Sequence, residues 1–208
     1  MNGAAASSAV NLIPVRMGEL AVSREKRDMF SVIGIGSCVV VILIAPEQGA
    51  VALAHVVLPE SRVTGGREAP AGKFADTAVP ALLDGLRSLR VEPEDTYALL
   101  VGGATMFGHT HSSKLAGVGD RNVEAVHQQL ARFGIGVASE EVGGTIGRSV
   151  NVALDELAAY VRSGPGEPSR MAGSDHPLRV KVSEGGADLQ PEPFPEDIWA
   201  SDTAQPTP

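Results

Sequence analysis

Two long apolar runs joined by a short turn constrain the fold of this chain more than any other feature. The first run extends from Val32 to Ala45, and the second extends from Val51 to Pro59. Both are rich in Val and Ile, which favour strands, and the segment Pro46–Gly49 between them has the residues of a turn. Neither run reaches the roughly 20 apolar residues that a membrane helix requires. The sequence therefore predicts a β-hairpin.

Each run carries one side chain capable of catalytic chemistry, Cys38 in the first and His55 in the second. A thiol beside an imidazole is the minimum equipment for nucleophilic attack on a carbonyl carbon. If the turn holds an even number of residues, Ala45 pairs with Ala50 and Cys38 pairs with Val57. The Cys38 and His55 side chains then share one face as diagonal neighbours. A three-residue turn would place them on opposite faces.

Both side chains also have a purely structural interpretation. A free cysteine in a Val/Ile run is often a buried small hydrophobe, and a single histidine on an apolar strand is often a core residue. Gly34 and Gly36 favour the catalytic interpretation, because they free the backbone just before Cys38. In such a turn, backbone N–H groups around Gly36 and Ser37 can point at a developing oxyanion.

Composition and charge limit the class of protein. The chain has 208 residues, of which 43% are hydrophobic, enough for one domain with a substantial core. A net charge of −8 without a basic run argues against a nucleic acid or an anionic membrane as partner. One cysteine cannot form an internal disulfide, and no signal-peptide pattern precedes the domain. We therefore predict a cytoplasmic protein without direct membrane insertion.

Composition divides the chain into three parts. Residues 1–12 form an Ala/Ser-rich flexible leader, residues 13–162 form the folded domain, and residues 163–208 form an acidic, Pro-rich tail. The tail contains eight of the fourteen prolines, with eight acidic and three basic residues. We predict that it is disordered apart from a short strand at Leu178–Val182, and that it serves as an inert solubilising tail. The alternative is a partner-docking segment anchored by Phe194, Ile198 and Trp199.

Strand and helix patterns alternate through the folded domain, which predicts an α/β fold. Besides the hairpin, the predicted strands are Val15–Val22, Met29–Ile35, Tyr97–Val101, Ile135–Ser139 and Arg148–Val152. Apolar residues at helical spacing predict a helix over 74–89, with Pro80 in its first turn or at a kink. Asp120 as N-cap and Gly134 as stop predict a second helix. The segment Leu154–Val161 fits either a helix or a strand.

The other histidines and the glycine clusters are weaker candidates for a site. His109 and His111 form a possible metal pair, but no third ligand has zinc-like spacing, so we predict no metal site. His127 falls on the solvent face of the second helix, and His176 falls in the tail. No phosphate-loop or dinucleotide fingerprint is present, so we predict no nucleotide cofactor. The glycine clusters are instead predicted to serve turns and close packing; they are 102–103, 117–119 and 143–144.

Several short motifs occur together, in one order, in a known protein family. They are Gly34–Val39, Ala54–Pro59, Lys73–Ala78, Gly102–Phe107, Gly119–Val126, Glu140–Gly144 and Arg148–Val150. In order and in spacing, over about Val15 to Val152, they resemble the chemoreceptor glutamine deamidases of the CheD family. The tail after Ser163 has no counterpart in this resemblance.

The resemblance implies a fold and a reaction. The family has an α+β fold of mixed β-sheet layers flanked by helices, related to toxin deamidases and typical of a cysteine hydrolase. Its members are protein-glutamine glutaminases, which hydrolyse selected Gln side chains of methyl-accepting chemotaxis receptors to Glu and ammonia without a cofactor. Many also bind the phosphatase CheC. By this resemblance Cys38 is the nucleophile that forms a thioester, and His55 is the acid–base group.

One position departs from the family pattern. The family's third catalytic residue is a threonine six positions before the cysteine, which helps to orient the histidine, whereas this chain has Val32 there. Ser31 is adjacent, but strand alternation points it to the other face. A bulge could restore Ser31, and Ser37 or Thr77 could supply the hydroxyl instead. Without an orienting group the imidazole would lose control of its tautomer, and activity would fall.

The sequence therefore predicts a chemoreceptor glutamine deamidase in which the Val32 substitution can reduce activity. The main alternative is a catalytically impaired family member that binds chemoreceptors or a CheC-like phosphatase as a regulator. A thiol hydrolase acting on some other amide is a third interpretation.

Overall fold

Three layers form the fold in the computed structural model, which describes residues 9–64, 68–105 and 117–171. In chain order the strands are β1 (Asn11–Pro14), β2 (Leu20–Ser23), β3 (Asp28–Ile35), β4 (Val39–Ala45), β5 (Ala50–Val56), β6 (Tyr97–Gly102), β7 (Gly136–Val142), β8 (Arg148–Ala153), β9 (Ala158–Ser163) and β10 (Ser169–Arg170). The helices are α1 (Ala75–Ser88) and α2 (Val118–Arg132).

The strands form two five-stranded sheets that pack against each other. The outer sheet has the order β1-β3-β8-β9-β10, and the inner sheet has the order β2-β5-β4-β6-β7. The pairs β1–β3 and β6–β7 are parallel, and the other pairs are antiparallel. Helices α1 and α2 cover the face of the inner sheet that points away from the outer sheet. This arrangement confirms the predicted α+β architecture of mixed sheets flanked by helices.

Strands β4 and β5 form the predicted hairpin at the centre of the inner sheet. Ala45 pairs with Ala50, so four residues lie between the paired positions and the even-numbered turn is confirmed. The alternative three-residue turn is wrong. Every residue of both strands is buried, because one face packs against the helices and the other against the outer sheet. A strand covered on both faces is continuously apolar in sequence, as this hairpin is.

Alternation along the hairpin separates two hydrophobic cores. Val39, Val41 and Leu43 belong to the core between the inner sheet and the helices. Val40, Ile42 and Ile44 belong to the core between the two sheets. Val32 and Val150 of the outer sheet belong to the same core. A side chain on the second face of the hairpin therefore lies in the interior between the sheets.

The two helices occur where the sequence predicts them, with one cap corrected. Helix α1 lies between Phe74 and Leu89, and Pro80 falls in its second turn. Helix α2 begins at Val118, so the predicted Asp120 N-cap is wrong and Asp120 lies in the first turn, where its charge suits the helix dipole. Gly134 follows the C-cap with a φ of 70°, which confirms it as the stop residue.

The prediction of one strand over Val15–Val22 is wrong. The chain instead leaves β1 in the outer sheet, turns at Gly18 with a φ of 81°, and enters β2 in the inner sheet. Val15 lies in this crossing and is buried between the sheets. The prediction fails because a segment that crosses between two layers is as apolar in composition as a strand. The two ends of this segment pair with different sheets.

The remaining differences concern boundaries. The segment Leu154–Val161 contains a turn followed by β9, so the strand alternative is correct for its second half. The β structure also extends past both predicted domain boundaries, since β1 begins at Asn11 and β10 follows residue 162. Residues 172–208 of the predicted tail, including Leu178–Val182 and Trp199, lie outside the described residues.

Candidate active site

Cys38 lies directly before β4, at the end of the turn that follows β3. Its side chain belongs to the core between the sheets, and 9% of the residue is exposed. Burial raises the pKa of the Cys38 thiol above its ordinary value, and the backbone N–H of Cys38 itself opposes this by a smaller amount. The thiol is therefore protonated at neutral pH.

His55 lies near the end of β5, and only 3% of the residue is exposed. Its Nδ1 lies 3.4 Å from the carbonyl oxygen of Val15, while its Nε2 is buried without a hydrogen-bond partner among the described residues. Burial lowers the pKa of His55, and the contact with Val15 and the charge of Glu19 oppose this by smaller amounts. The imidazole is therefore neutral at neutral pH.

The hairpin register places Cys38 and His55 on one face. His55 pairs with Val40, and Cys38 lies two residues before Val40, so alternation points both side chains into the space between the sheets. Diagonal neighbours of this kind have Cβ atoms roughly 7–8 Å apart or somewhat less, within reach of an imidazole. A protonated thiol and a neutral imidazole in this arrangement can react by general-base transfer of the thiol proton.

Three successive carbonyl oxygens hold the turn before β4 in place. The bonds are Ala104 N–H to Gly36 O at 2.8 Å, Asn122 Nδ2 to Ser37 O at 2.8 Å and Gly103 N–H to Cys38 O at 2.7 Å. In a trans peptide the N–H points opposite to the carbonyl of the preceding residue. The N–H groups of Ser37 and Cys38 therefore point away from Ala104 and from the Asn122 side chain, which bind the preceding carbonyl oxygens.

Asn122 is the site residue that the sequence did not single out. It is fully buried on α2, and its Nδ2 donates hydrogen bonds to Ser37 O at 2.8 Å and to Val57 O at 2.9 Å. The same amide therefore joins the residue before Cys38 to the residue two positions after His55. The motif Gly119–Val126 contains Asn122, but an asparagine near the start of a helix carries no sequence signal for such a bridge.

Glycines allow the backbones around the nucleophile turn to pack directly on one another. A Cβ on Gly102 would lie 2.2 Å from the carbonyl oxygen of Cys38, and the φ of Gly102 is 122°. A Cβ on Gly119 would lie 2.4 Å from the carbonyl oxygen of Gly103. These contacts confirm the prediction that the clusters 102–103 and 117–119 serve close packing.

Val32 lies in the core between the sheets and is 1% exposed. The β3 strand does contain a bulge, between Val32 and Ile35. Since the bulge follows Ser31 in the chain, Ser31 keeps the face opposite to Val32 and is not turned towards the site. The hydroxyl of Thr77 donates to Ala71 O at 2.8 Å, in the turn before α1. Neither the bulge nor Thr77 restores the hydroxyl.

The other sequence candidates lie away from Cys38 or outside the described residues. His127 is partly exposed on α2, as predicted, with its Nε2 2.8 Å from a carboxylate oxygen of Glu140. His109, His111 and His176 are among the residues that the structure does not describe. Within the described ranges, no three His, Cys, Asp or Glu side chains are grouped as metal ligands. None of the described helices is long and apolar enough to cross a membrane.

Comparison with known proteins identifies similar chains. The model of the family described as CheD, chemotactic sensory transduction, matches residues 57–163, which begins two positions after His55. A probable chemoreceptor glutamine deamidase CheD from Methanococcus maripaludis strain C6 is 36% identical over 153 residues, covering 74% of this chain and 96% of that protein. The chemoreceptor glutamine deamidase CheD of Thermotoga maritima is 39% identical over 154 residues, covering 74% of this chain and 93% of that protein.

Likeness to solved structures is weaker. The crystal structure of the Bacillus licheniformis hypothetical protein YfiH has a TM-score of 0.41 with this chain at 14% sequence identity, covering 68% of this chain and 63% of that one. A likeness at this level carries no argument about the site.

Proposed function

Because this chain belongs to the CheD family, we propose that it is a chemoreceptor glutamine deamidase, a hydrolase that converts Gln side chains of methyl-accepting chemotaxis receptors to Glu and ammonia. The observation that carries the proposal is the shared face of Cys38 and His55 on the central hairpin. The names of the similar proteins support the same activity. With this activity we also propose a cytoplasmic location.

In the proposed reaction, the neutral His55 takes the thiol proton on Nε2 while Cys38 Sγ attacks the carboxamide carbon of the substrate. The carbonyl oxygen becomes an oxyanion, and in this proposal the N–H groups of Ser37 and Cys38 donate to it. One such donor typically contributes about 10²–10³ in rate.

The tetrahedral intermediate then collapses by breaking its C–N bond. The imidazolium returns its proton to the leaving nitrogen, so that ammonia departs and a thioester on Cys38 remains. His55 next removes a proton from water, and the hydroxide attacks the thioester carbon. Breaking the C–S bond, with return of that proton to sulfur, yields Glu and regenerates the thiol and the neutral imidazole.

The pKa directions favour this general-base route over a preformed ion pair. Burial raises the pKa of Cys38 and lowers the pKa of His55, and both shifts favour the neutral thiol and the neutral imidazole. His55 must be unprotonated to act as base. We therefore expect kcat/KM to be lost on acidification only below the ordinary histidine value of ~6.5.

The alternative of a catalytically impaired binding protein depends on Val32. Cys38 and His55 are both present, and the curated relatives are named as deamidases, so the alternative is not favoured. Whether Val32 reduces activity depends on whether another group orients His55. We also propose a CheC-like phosphatase as a second partner, on the basis of the family resemblance, and a pull-down with such a phosphatase tests it.

Mass spectrometry of a receptor substrate tests the proposed activity. The chain is incubated with the purified cytoplasmic fragment of a chemoreceptor, and peptides are mapped for conversion of Gln to Glu, which adds about one dalton at each site. We expect conversion at a small set of glutamines, with release of an equal amount of ammonia. Receptor that stays unmodified at every glutamine would contradict the proposal.

Matched variants separate catalysis from folding. Cys38→Ala and His55→Asn are expected to abolish conversion because each removes one partner of the proton transfer. His127→Asn is the control, since His127 is an exposed histidine paired with Glu140 and lies outside the proposed site. Equal loss in all three variants would assign the effect to folding.

A further inference from the structure

We propose that the main-chain carbonyl of Val15 is the orienting group of His55, in the place that a threonine hydroxyl takes in the family. This inference rests on the proposed function, because it assigns a positioning group to the proposed catalytic base. Val15 does not touch the substrate in this proposal. It acts only through the imidazole.

The first observation is a hydrogen bond with only one possible direction. His55 Nδ1 lies 3.4 Å from Val15 O, and a carbonyl oxygen can only accept. The bond therefore requires the proton of the neutral ring to be on Nδ1. In this tautomer Nε2 carries the free lone pair. Nε2 is also the atom that must take the thiol proton in the proposed reaction.

The second observation concerns the opposite nitrogen. Nε2 of His55 is buried and has no partner among the described residues. Buried polar atoms are normally hydrogen-bonded, and an exception in a folded protein requires an explanation. The unpartnered Nε2 is explained if it is the unprotonated ring nitrogen and its partner is the thiol proton during reaction.

The third observation is that the position of Val15 O is determined by surrounding hydrogen bonds. The N–H of Val15 donates to Ser31 O at 2.9 Å, directly beside Val32 in the chain. On the other side, Gly18 N–H donates to His55 O at 2.9 Å and His55 N–H donates to Glu19 O at 3.0 Å. The crossing segment is therefore tied both to the strand that carries Val32 and to the backbone of His55.

Proton transfer strengthens this arrangement. When Nε2 takes the thiol proton, the ring carries a proton on each nitrogen, and the bond from Nδ1–H to Val15 O becomes charge-assisted. The carbonyl thus stabilises the imidazolium as it forms and releases it when the proton passes to the leaving nitrogen. A buried main-chain carbonyl can perform this role without a side-chain hydroxyl at position 32.

The test measures the tautomer directly in the full-length protein. Long-range ¹H–¹⁵N correlation spectra at about pH 8, where the ring is neutral, distinguish a protonated ring nitrogen from a pyridine-type one. The His55 signals are assigned by comparison with His55→Asn. We expect a protonated Nδ1 and a pyridine-type Nε2. A predominant Nε2–H form, which prevails in free histidine, would overturn the proposal.

A backbone substitution tests the carbonyl itself. Since Cys38 is the only cysteine, a synthetic segment 1–37 can be ligated to residues 38–208 at Cys38, with an ester replacing the Val15–Arg16 amide. An ester carbonyl is a weaker hydrogen-bond acceptor, so we expect a smaller population of the Nδ1–H tautomer. We also expect kcat to fall by about tenfold or more. Unchanged tautomer populations would contradict the proposal.

Two comparisons complete the test. The ester also removes the bond of 2.9 Å from Arg16 N–H to Glu19 Oε2, so Glu19→Ala reproduces that loss with Val15 O intact. An equal tautomer shift in Glu19→Ala would overturn the proposal. Val32→Thr is expected to raise kcat by less than about tenfold, because orientation is already supplied. A larger rise would show that His55 lacked an orienting group.

The tautomer measurement also distinguishes this inference from the proposed function. An Nδ1–H ring in a chain that fails to deamidate receptors would leave the role of Val15 intact and reject the substrate. Deamidation by a chain whose ring is protonated on Nε2 would keep the function and reject the role of Val15.

Discussion

Asn122 holds Ser37 from a position 85 residues later in the chain, through a hydrogen bond of 2.8 Å from its side-chain amide to the Ser37 carbonyl oxygen. The second amide hydrogen reaches Val57 O at 2.9 Å. This bridge ties the turn that carries Cys38 to the end of the strand that carries His55. The relative position of the two proposed catalytic side chains therefore depends on a helix that contributes neither of them.

Removing the bridge is expected to affect stability and activity together. Asn122→Ala leaves two partly buried carbonyl oxygens without their donor, so we expect a loss of about 2–4 kcal/mol in the free energy of unfolding. Urea denaturation measures this. Gln128→Ala is the matched control, since the Gln128 side chain donates to Glu124 on the exposed side of α2, and it should change stability by less than about 0.5 kcal/mol. Equal effects would mean that the bridge is unimportant.

The contact between Gly102 and Cys38 predicts a second large effect. In Gly102→Ala the new Cβ would lie 2.2 Å from Cys38 O, at a φ of 122° that disfavours a side chain. We expect a loss of more than about 3 kcal/mol from combined overpacking and backbone strain. The control is Gly49→Ala, at a φ of 60° with nothing within 4 Å, for which strain costs only about 1–2 kcal/mol. Thermal and urea unfolding measure the stability loss of both variants. Similar losses in Gly102→Ala and Gly49→Ala would contradict the packing argument.

Alkylation of Cys38 should reveal a protonated thiol. Because burial raises the pKa of Cys38, we expect the rate of iodoacetamide alkylation to rise with a midpoint above the ordinary thiol value of ~8.5. The single cysteine makes the signal unambiguous. Fast alkylation below pH 7 that disappears in His55→Ala but persists in His127→Ala would instead indicate a thiolate–imidazolium pair, and the general-base mechanism would be wrong.

Stability should depend on pH through His55. Its pKa is lowered in the folded state by burial, so the unfolded chain binds the proton first as the pH falls. The folded protein should therefore lose stability from the unfolded value of ~6.5 downwards to the lowered folded value, by at most about 1.4 kcal/mol per pH unit. Urea denaturation of His55→Gln should lack this part of the loss, whereas His127→Gln should retain it. Identical curves for wild type and His55→Gln would contradict the burial argument.

Local periodicity in the sequence was enough to predict much of the fold and part of the candidate site. The sequence predicted the hairpin and showed that an even-numbered turn would place Cys38 and His55 on one face, because register in a hairpin follows from the length of its turn. The structure supplied the turn length, with Ala45 paired to Ala50. Helix α1 was predicted within one residue at each end, since its apolar stripe has a clear helical period. The family motifs then related this pair to a reaction.

The sequence could not predict the groups that hold the pair in place. Val15 and His55 are 40 residues apart, and the group that Val15 supplies is a backbone carbonyl, which every residue has. The segment around Val15 was predicted as one strand because its apolar composition does not reveal that it crosses between sheets. Asn122 and Ser37 meet only when α2 packs on the inner sheet.

The sequence by itself determined the hairpin and the two reactive side chains, because these depend on neighbours within one short stretch of chain. The register followed only when the structure showed a turn of four residues. Only the tertiary structure decided what surrounds the imidazole, which carbonyl oxygen lies beside its Nδ1 and which amide holds the turn of Cys38. Those contacts join distant segments through main-chain groups. Because every residue has the same main-chain groups, the pattern of side chains along the chain does not predict them.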